Sequence, residues 1–161
     1  MTQTRSWRAA LPAVRRLVLL PLLAALLPLE AGATLGGSAS SAEADQARMH
    51  ARRQVTAGTA YSVHEITTPA GTVVREFVSS ITGQVFAVTW QGPFMPDLKQ
   101  VLGEHFDTFV ESASKEHRGR GIVSVRKPEV VIHSGGHMRA FTGMAYLPGR
   151  LPEGVRIEDI R

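Results

Sequence analysis

Two histidines bracket a glycine pair in His133-Ser134-Gly135-Gly136-His137-Met138-Arg139. Imidazoles so close in sequence are candidate metal ligands or bases, and hairpin register decides which chemistry they could do. If Gly135-Gly136 is a two-residue loop, Ser134 pairs with His137, His133 faces Met138, and the two imidazoles point to opposite faces. If the loop is instead Ser134 to Gly136, the histidines become cross-strand partners with Cβ atoms about 5 Å apart, close enough to share an ion. Gly-Gly favours the two-residue turn, so no metal site is expected. Even the other register offers only two ligands where zinc takes three or four, and the rest would have to come from His64, His105 or a carboxylate.

Other reactive arrangements are weaker. Ser134 beside His137 resembles a nucleophile and its base, but no carboxylate is placed to orient the imidazole. There is no H-E-x-x-H, no G-x-S-x-G, no phosphate-binding G-x-x-x-x-G-K and no dinucleotide fingerprint. With no cysteine, thiol chemistry and disulfides are absent. No cofactor is implied. Glu104, Asp107 and Glu111 step along the polar side of a helix, as a solvated face does. Binding is the alternative to catalysis, and Trp90-Gln91-Gly92-Pro93-Phe94-Met95-Pro96 is its best sequence candidate. Trp90, Phe94 and Met95 sit in a strand-to-helix connection, where large apolar groups either cap the core, the expected outcome here, or face a partner. With His137 and Arg139 they form the candidate binding set.

These residues need elements to hold them. Tyr61–Thr68, Thr72–Ser80 and Gln84–Trp90 are rich in β-branched and aromatic residues, and the turn signals Pro69-Ala70-Gly71 and Thr82-Gly83 separate them. A three-stranded antiparallel meander follows. From Pro96 to His117, Leu98, Val101, Leu102, Phe106, Phe109, Val110 and Ala113 recur at helical spacing, and Gly103 in their midst suggests close packing or a bend. Ile122–Val125 reads as a short strand, Glu129–His133 and His137–Tyr146 as a second hairpin, and Val155–Ile160 as a possible edge strand. The expected class is α+β: an antiparallel sheet of about five strands, one long helix on one face, and a peripheral N-terminal helix within Ala42–Gln54.

The chain opens as an export signal would. Arg5, Arg8, Arg15 and Arg16 precede the apolar run Leu17–Leu29, and Ala31-Gly32-Ala33 supplies a cleavage site. The run is shorter than the roughly 20 residues of a membrane span and holds Pro21 and Pro28, so no permanent span is expected. The expected organisation is a cleaved signal at 1–33, a flexible or helical arm at 34–60 and one domain at 61–161. Taking four arginines from 18 basic residues and Glu30 from 14 acidic ones leaves a single net positive charge on the exported form. Only His117–Gly121 and Arg126-Lys127 remain as basic clusters, so nucleic acid is not an expected partner.

Several of these stretches also occur together in a known family. Val74–Val78, Val85–Val88, Trp90–Pro93, Pro96–Leu98, Gly136–Phe141 and Ala145–Pro148 resemble, in order, the proteobacterial exported family known as domain of unknown function 2844. The resemblance runs from about Leu35 to the end; it implies export and a shared small domain, and it carries no activity. The expectation for function is a non-enzymatic accessory protein of the bacterial envelope, periplasmic or secreted, that binds an envelope protein or a glycan. The alternative is a small metal-dependent or hydrolytic enzyme using the His133/His137 hairpin.

Overall fold

The computed structural model describes residues 35–38, 52–115 and 121–160. The proposed signal, most of the N-terminal arm and the basic stretch 116–120 lie outside the described residues. Seven strands form one sheet: β1 (Arg52–Ala57), β2 (Tyr61–Thr67), β3 (Val73–Ser79), β4 (Val85–Gly92), β5 (Val123–Arg126), β6 (Val131–His137) and β7 (Ala140–Tyr146). Their spatial order is β1-β2-β3-β4-β7-β6-β5, with every pairing antiparallel. Chain-adjacent strands pair along both halves, and β7 seats the second half against β4.

This corrects the expected sheet of about five strands. The first extra strand is β1, whose Arg-Arg-Gln-Val-Thr-Ala sequence overlaps the end of the peripheral helix expected within Ala42–Gln54. Helix preference among such residues is a few tenths of a kcal/mol each, which a full ladder to β2 overrides. At the other end, Ile157–Asp159 forms a 3-10 turn where an edge strand was expected.

The long helix is also broken. Helix α1 (Leu98–Leu102) ends at Gly103, a 3-10 turn covers Gly103–His105, and helix α2 (Phe106–Lys115) follows. Asp97 caps the start, its carboxylate accepting from the N–H groups of Lys99 and Gln100 at 3.0 and 3.2 Å, which satisfies two donors that have no helical partner. Gly103 has φ of 53°, a left-handed conformation suited to glycine, so the bend suggested by the sequence is a break. The buried helical face is narrower than the apolar spacing implies: Val101 and Leu102 are buried and Phe106 and Phe109 half-buried, but Val110 is exposed.

Side chains of opposite parity divide the sheet into two faces. One carries the row Val55, His64, Glu76, Val88, Ala145, Ile132 and Val125, and beside it Arg53, Ile66, Val74, Trp90, Gly143, Ser134 and Val123. Against this helix face pack Leu98, Val101, Leu102, Phe106 and Phe109, with Leu35 from the N-terminal segment. The other face receives the C-terminal tail. A register shift between Phe77 and Val78 accommodates an extra residue in β4, and Phe77, Phe86 and Ala87 then pack under Leu151, Val155, Ile157 and Ile160. Among the described residues no helix is long and apolar enough to cross a membrane.

Candidate functional site

The tail covers only part of its face. Beside the covered residues runs an open row, one side chain from each strand in register: Gln54, Glu65, Arg75, Thr89, Met144, His133 and Ser124. The next row, in the same parity, brings Gln91, Thr142 and Gly135 side by side. Arg75, Thr89, Met144 and His133 from the first row, and all three residues of the second, line a groove of about 530 Å³ with Ile122 and Ile160.

Three features give the groove its chemistry. Arg75 donates from Nε to Glu65 Oε2 at 2.8 Å, both side chains being about one-third exposed, so the guanidinium is held in place while remaining accessible. Thr89 is 8% exposed and its Oγ1 has no hydrogen-bond partner. A buried hydroxyl left unpaired costs about 1–3 kcal/mol, and this oxygen lies beneath the groove's surface rather than on it. His133 Nδ1 lies 3.1 Å from Ser124 Oγ on the neighbouring strand. Met144 and the exposed Ile122 add aliphatic lining.

The hairpin residues read from sequence are arranged differently. The turn is Met138-Arg139, with His137 opposite Ala140, so Gly135 and Gly136 lie within β6 and neither expected register occurs. His133 pairs with Met144, and His137 sits four residues along the same strand, about 13 Å away at a strand's usual rise. That separation exceeds what one metal ion spans. His137 is exposed, and its Nδ1 donates to the Met138 carbonyl at 3.3 Å. Ser134 is buried on the helix face and forms no pair with His137. Among the described residues no three His, Asp or Glu side chains are grouped to hold a metal.

The Trp90, Phe94 and Met95 cluster is divided. Trp90 is 1% exposed, its indole over Gly143 on the helix face, whereas Phe94 and Met95 are exposed. Thr72 pins their loop, its Oγ1 donating to the Phe94 carbonyl at 2.7 Å and accepting from the Phe94 N–H at 3.4 Å. Arg139 stands in the exposed hairpin turn. Of the candidate binding set, only Trp90 borders the groove, and it does so with its ring on the opposite face.

His64 belongs to a second polar cluster. Its Nδ1 is 3.2 Å from Arg53 Nη2, and because a guanidinium only donates, Nδ1 accepts; Nε2 then carries the proton and gives it to Ser62 Oγ at 3.3 Å. Glu76, 2% exposed, is its register partner on β3. Sequence reasoning passed over Arg75, Thr89, Gln91 and Thr142, because each looks like the solvent-side residue of an alternating strand. The available signal was parity: counted from the buried Phe77, they fall on one face.

A single antiparallel sheet, with helix on one face and a half-open groove beside a tail on the other, defines the class of this protein. The chain belongs to the family described as protein of unknown function (DUF2844), whose model matches residues 31–160. No curated protein and no solved structure matches the chain.

Proposed function

We propose that this is a non-enzymatic exported accessory protein of the bacterial envelope that acts by binding another envelope protein in the groove. Export rests on the N-terminal basic and apolar segments and the Ala31-Gly32-Ala33 site. Binding rests above all on the groove itself, a space of ligand size lined by the accessible guanidinium of Arg75. A protein suits the groove better than a glycan, because the indole of Trp90 is turned to the other face and no other Phe, Tyr or Trp among the described residues lines the groove to stack on a sugar. The hydrogen-bonded Ser124 and His133 lack the third member of a hydrolytic set: the register neighbours Met144, Val131 and Arg126 bring no carboxylate.

The test is retrieval from envelope extract by tagged protein, comparing wild type with Thr142→Trp. Thr142 is exposed on β7, so an indole there obstructs the groove without entering the core. A partner held by the wild type and lost by a variant with an unchanged urea midpoint is the expected result. Equal retention by both would reject the groove as the binding surface.

A further inference from the structure

Four of the seven large hydrophobic side chains exposed among the described residues, Phe94, Met95, Ile122 and Met138, stand at one end of the sheet. Register places them there. Gly92 of β4, Phe141 of β7 and Gly136 of β6 share a row. Phe94 and Met138 each come two residues beyond it, Met95 is next to Phe94, and Ile122 lies just before β5, beside Gly135. Phe94 is 57% exposed and Met138 85%. Single exposed apolar side chains are ordinary, but several gathered at one end mark an interaction surface.

The loop that carries two of them is fixed in advance. Pro93 and Pro96 bracket Phe94-Met95 and restrict the backbone on both sides, and the two hydrogen bonds of Thr72 hold the Phe94 main chain, so docking there orders little. Charge then indicates the partner. Beside Met138 stands the exposed Arg139, the one non-glycine residue of positive φ among those described, in a conformation that glycine would adopt at lower cost. A strained position that keeps a cation points to use of the charge. Exposed Arg52, in the row of Thr67, Val73 and Gln91, and exposed Lys99, in α1, add two more cations at this end. The turns Thr68–Thr72, Pro93–Asp97 and Met138-Arg139 contain one carboxylate, Asp97, already engaged by the N–H groups of Lys99 and Gln100. Apolar tips on separate turns with cations around them suit a fluid anionic surface, into which tips enter at the headgroup layer while cations meet phosphates. Independently of the groove, we infer that this end of the sheet docks peripherally on an anionic lipid bilayer, with Phe94, Met95 and Met138 entering the headgroup layer and Arg139, Arg52 and Lys99 facing lipid phosphates.

Co-sedimentation with vesicles tests this, using the exported form from Thr34 because the apolar run Leu17–Leu29 would bind lipid by itself. Vesicles of phosphatidylethanolamine and phosphatidylglycerol should retain the protein, phosphatidylcholine vesicles should not, and added salt should weaken retention by screening the cations. Phe94→Ser and Met138→Ser should each weaken binding about tenfold, through apolar surface that no longer enters the lipid. Arg139→Asn, which tolerates the same backbone, should weaken it about fivefold. Ile81→Ser is the control: Ile81 is 86% exposed but lies in the β3–β4 turn at the opposite end, so its loss should change nothing. As a readout that needs no loss of binding, Phe94→Trp emission should shift to the blue on anionic vesicles and Ile81→Trp emission should not. No retention by anionic vesicles, retention unchanged in both Phe94→Ser and Met138→Ser, or equal weakening by Ile81→Ser would overturn the proposal. If vesicles fail while an extract protein held by the wild type is lost by Phe94→Ser at an unchanged urea midpoint, this end docks a protein and the lipid assignment falls.

Discussion

The indole of Trp90 lies against the α-carbon of Gly143, its cross-strand partner, so closely that a methyl group at position 143 would overlap Cζ2 and Cε2 of the ring. The glycine is there for lack of a side chain. Gly143→Ala must push the largest buried side chain out of its place or separate two central strands, and overpacking of this kind costs about 1–3 kcal/mol. The urea midpoint should fall by a corresponding amount and Trp90 emission should shift. Gly149→Ala is the control, since nothing lies within 4 Å of a Cβ there; a comparable loss from both would remove the packing argument.

Leu35 makes a second prediction. It is 2% exposed in the helix-face core, its N–H donates to the Val101 carbonyl at 3.1 Å, and Gly36 and Gly37 exchange bonds with Val85 at 2.8 and 2.9 Å. Leu35→Ala should cost about 2–5 kcal/mol, a large part of the 5–15 kcal/mol that holds a domain folded. An unchanged urea midpoint would mean the segment is not docked.

Leu35 also illustrates how much could be read in the sequence. Its neighbours Gly36, Gly37, Ser38 and Ser40 have a linker's composition, and only the distant partners Val101 and Val85 make it an anchor. The central strands were legible because their β-branched and aromatic runs are bounded by turn signals. β1 was not, because its pairing with β2 is tertiary and its residues favour helix only weakly. Within the site, the sequence drew attention to His137, Phe94 and Met95, residues of conspicuous type, while the groove depends on the register that aligns ordinary residues such as Thr89 and Gln91. Register follows from turns, and the turn of β6 and β7 was misplaced by three residues.

Asp159 sits beside the groove wall and titrates abnormally. The side-chain hydrogen bond from Arg156, reinforced by the Arg156 backbone N–H, holds its carboxyl below the ordinary 3.8. A depressed carboxylate favours the folded turn above the unfolded pKa, and that contribution is lost as pH falls through the folded value. Both side chains are exposed, so the effect should be small and weakened by salt. Carboxyl carbon titration by NMR should give a midpoint below 3.8 that returns to the ordinary value in Arg156→Gln. The same midpoint in both proteins would show that the pair is not formed. Ile160, the next residue and buried, should become less protected over the same acid range.

The β6–β7 hairpin separates glycines kept for geometry from histidines kept for chemistry. Gly136 has φ of 133°, and a side chain there would overlap the Ala140 carbonyl oxygen and crowd Phe141 Cα at 2.7 Å. His137 beside it is exposed and makes one local hydrogen bond. Gly136→Val should therefore destabilise the protein far more than His137→Ala, which should stay within about 0.5 kcal/mol of wild type as surface substitutions do. Arg139 sits in the turn with φ of 65°, a left-handed conformation that strains a residue with a Cβ. Arg139→Gly should then be neutral or stabilising, the relief of strain being offset by the greater freedom of glycine in the unfolded chain. Urea midpoints of the three variants check the order. If His137→Ala is the most harmful, or if it abolishes partner retention with the midpoint unchanged, then His137 serves a partner and the hairpin tip belongs to the binding surface.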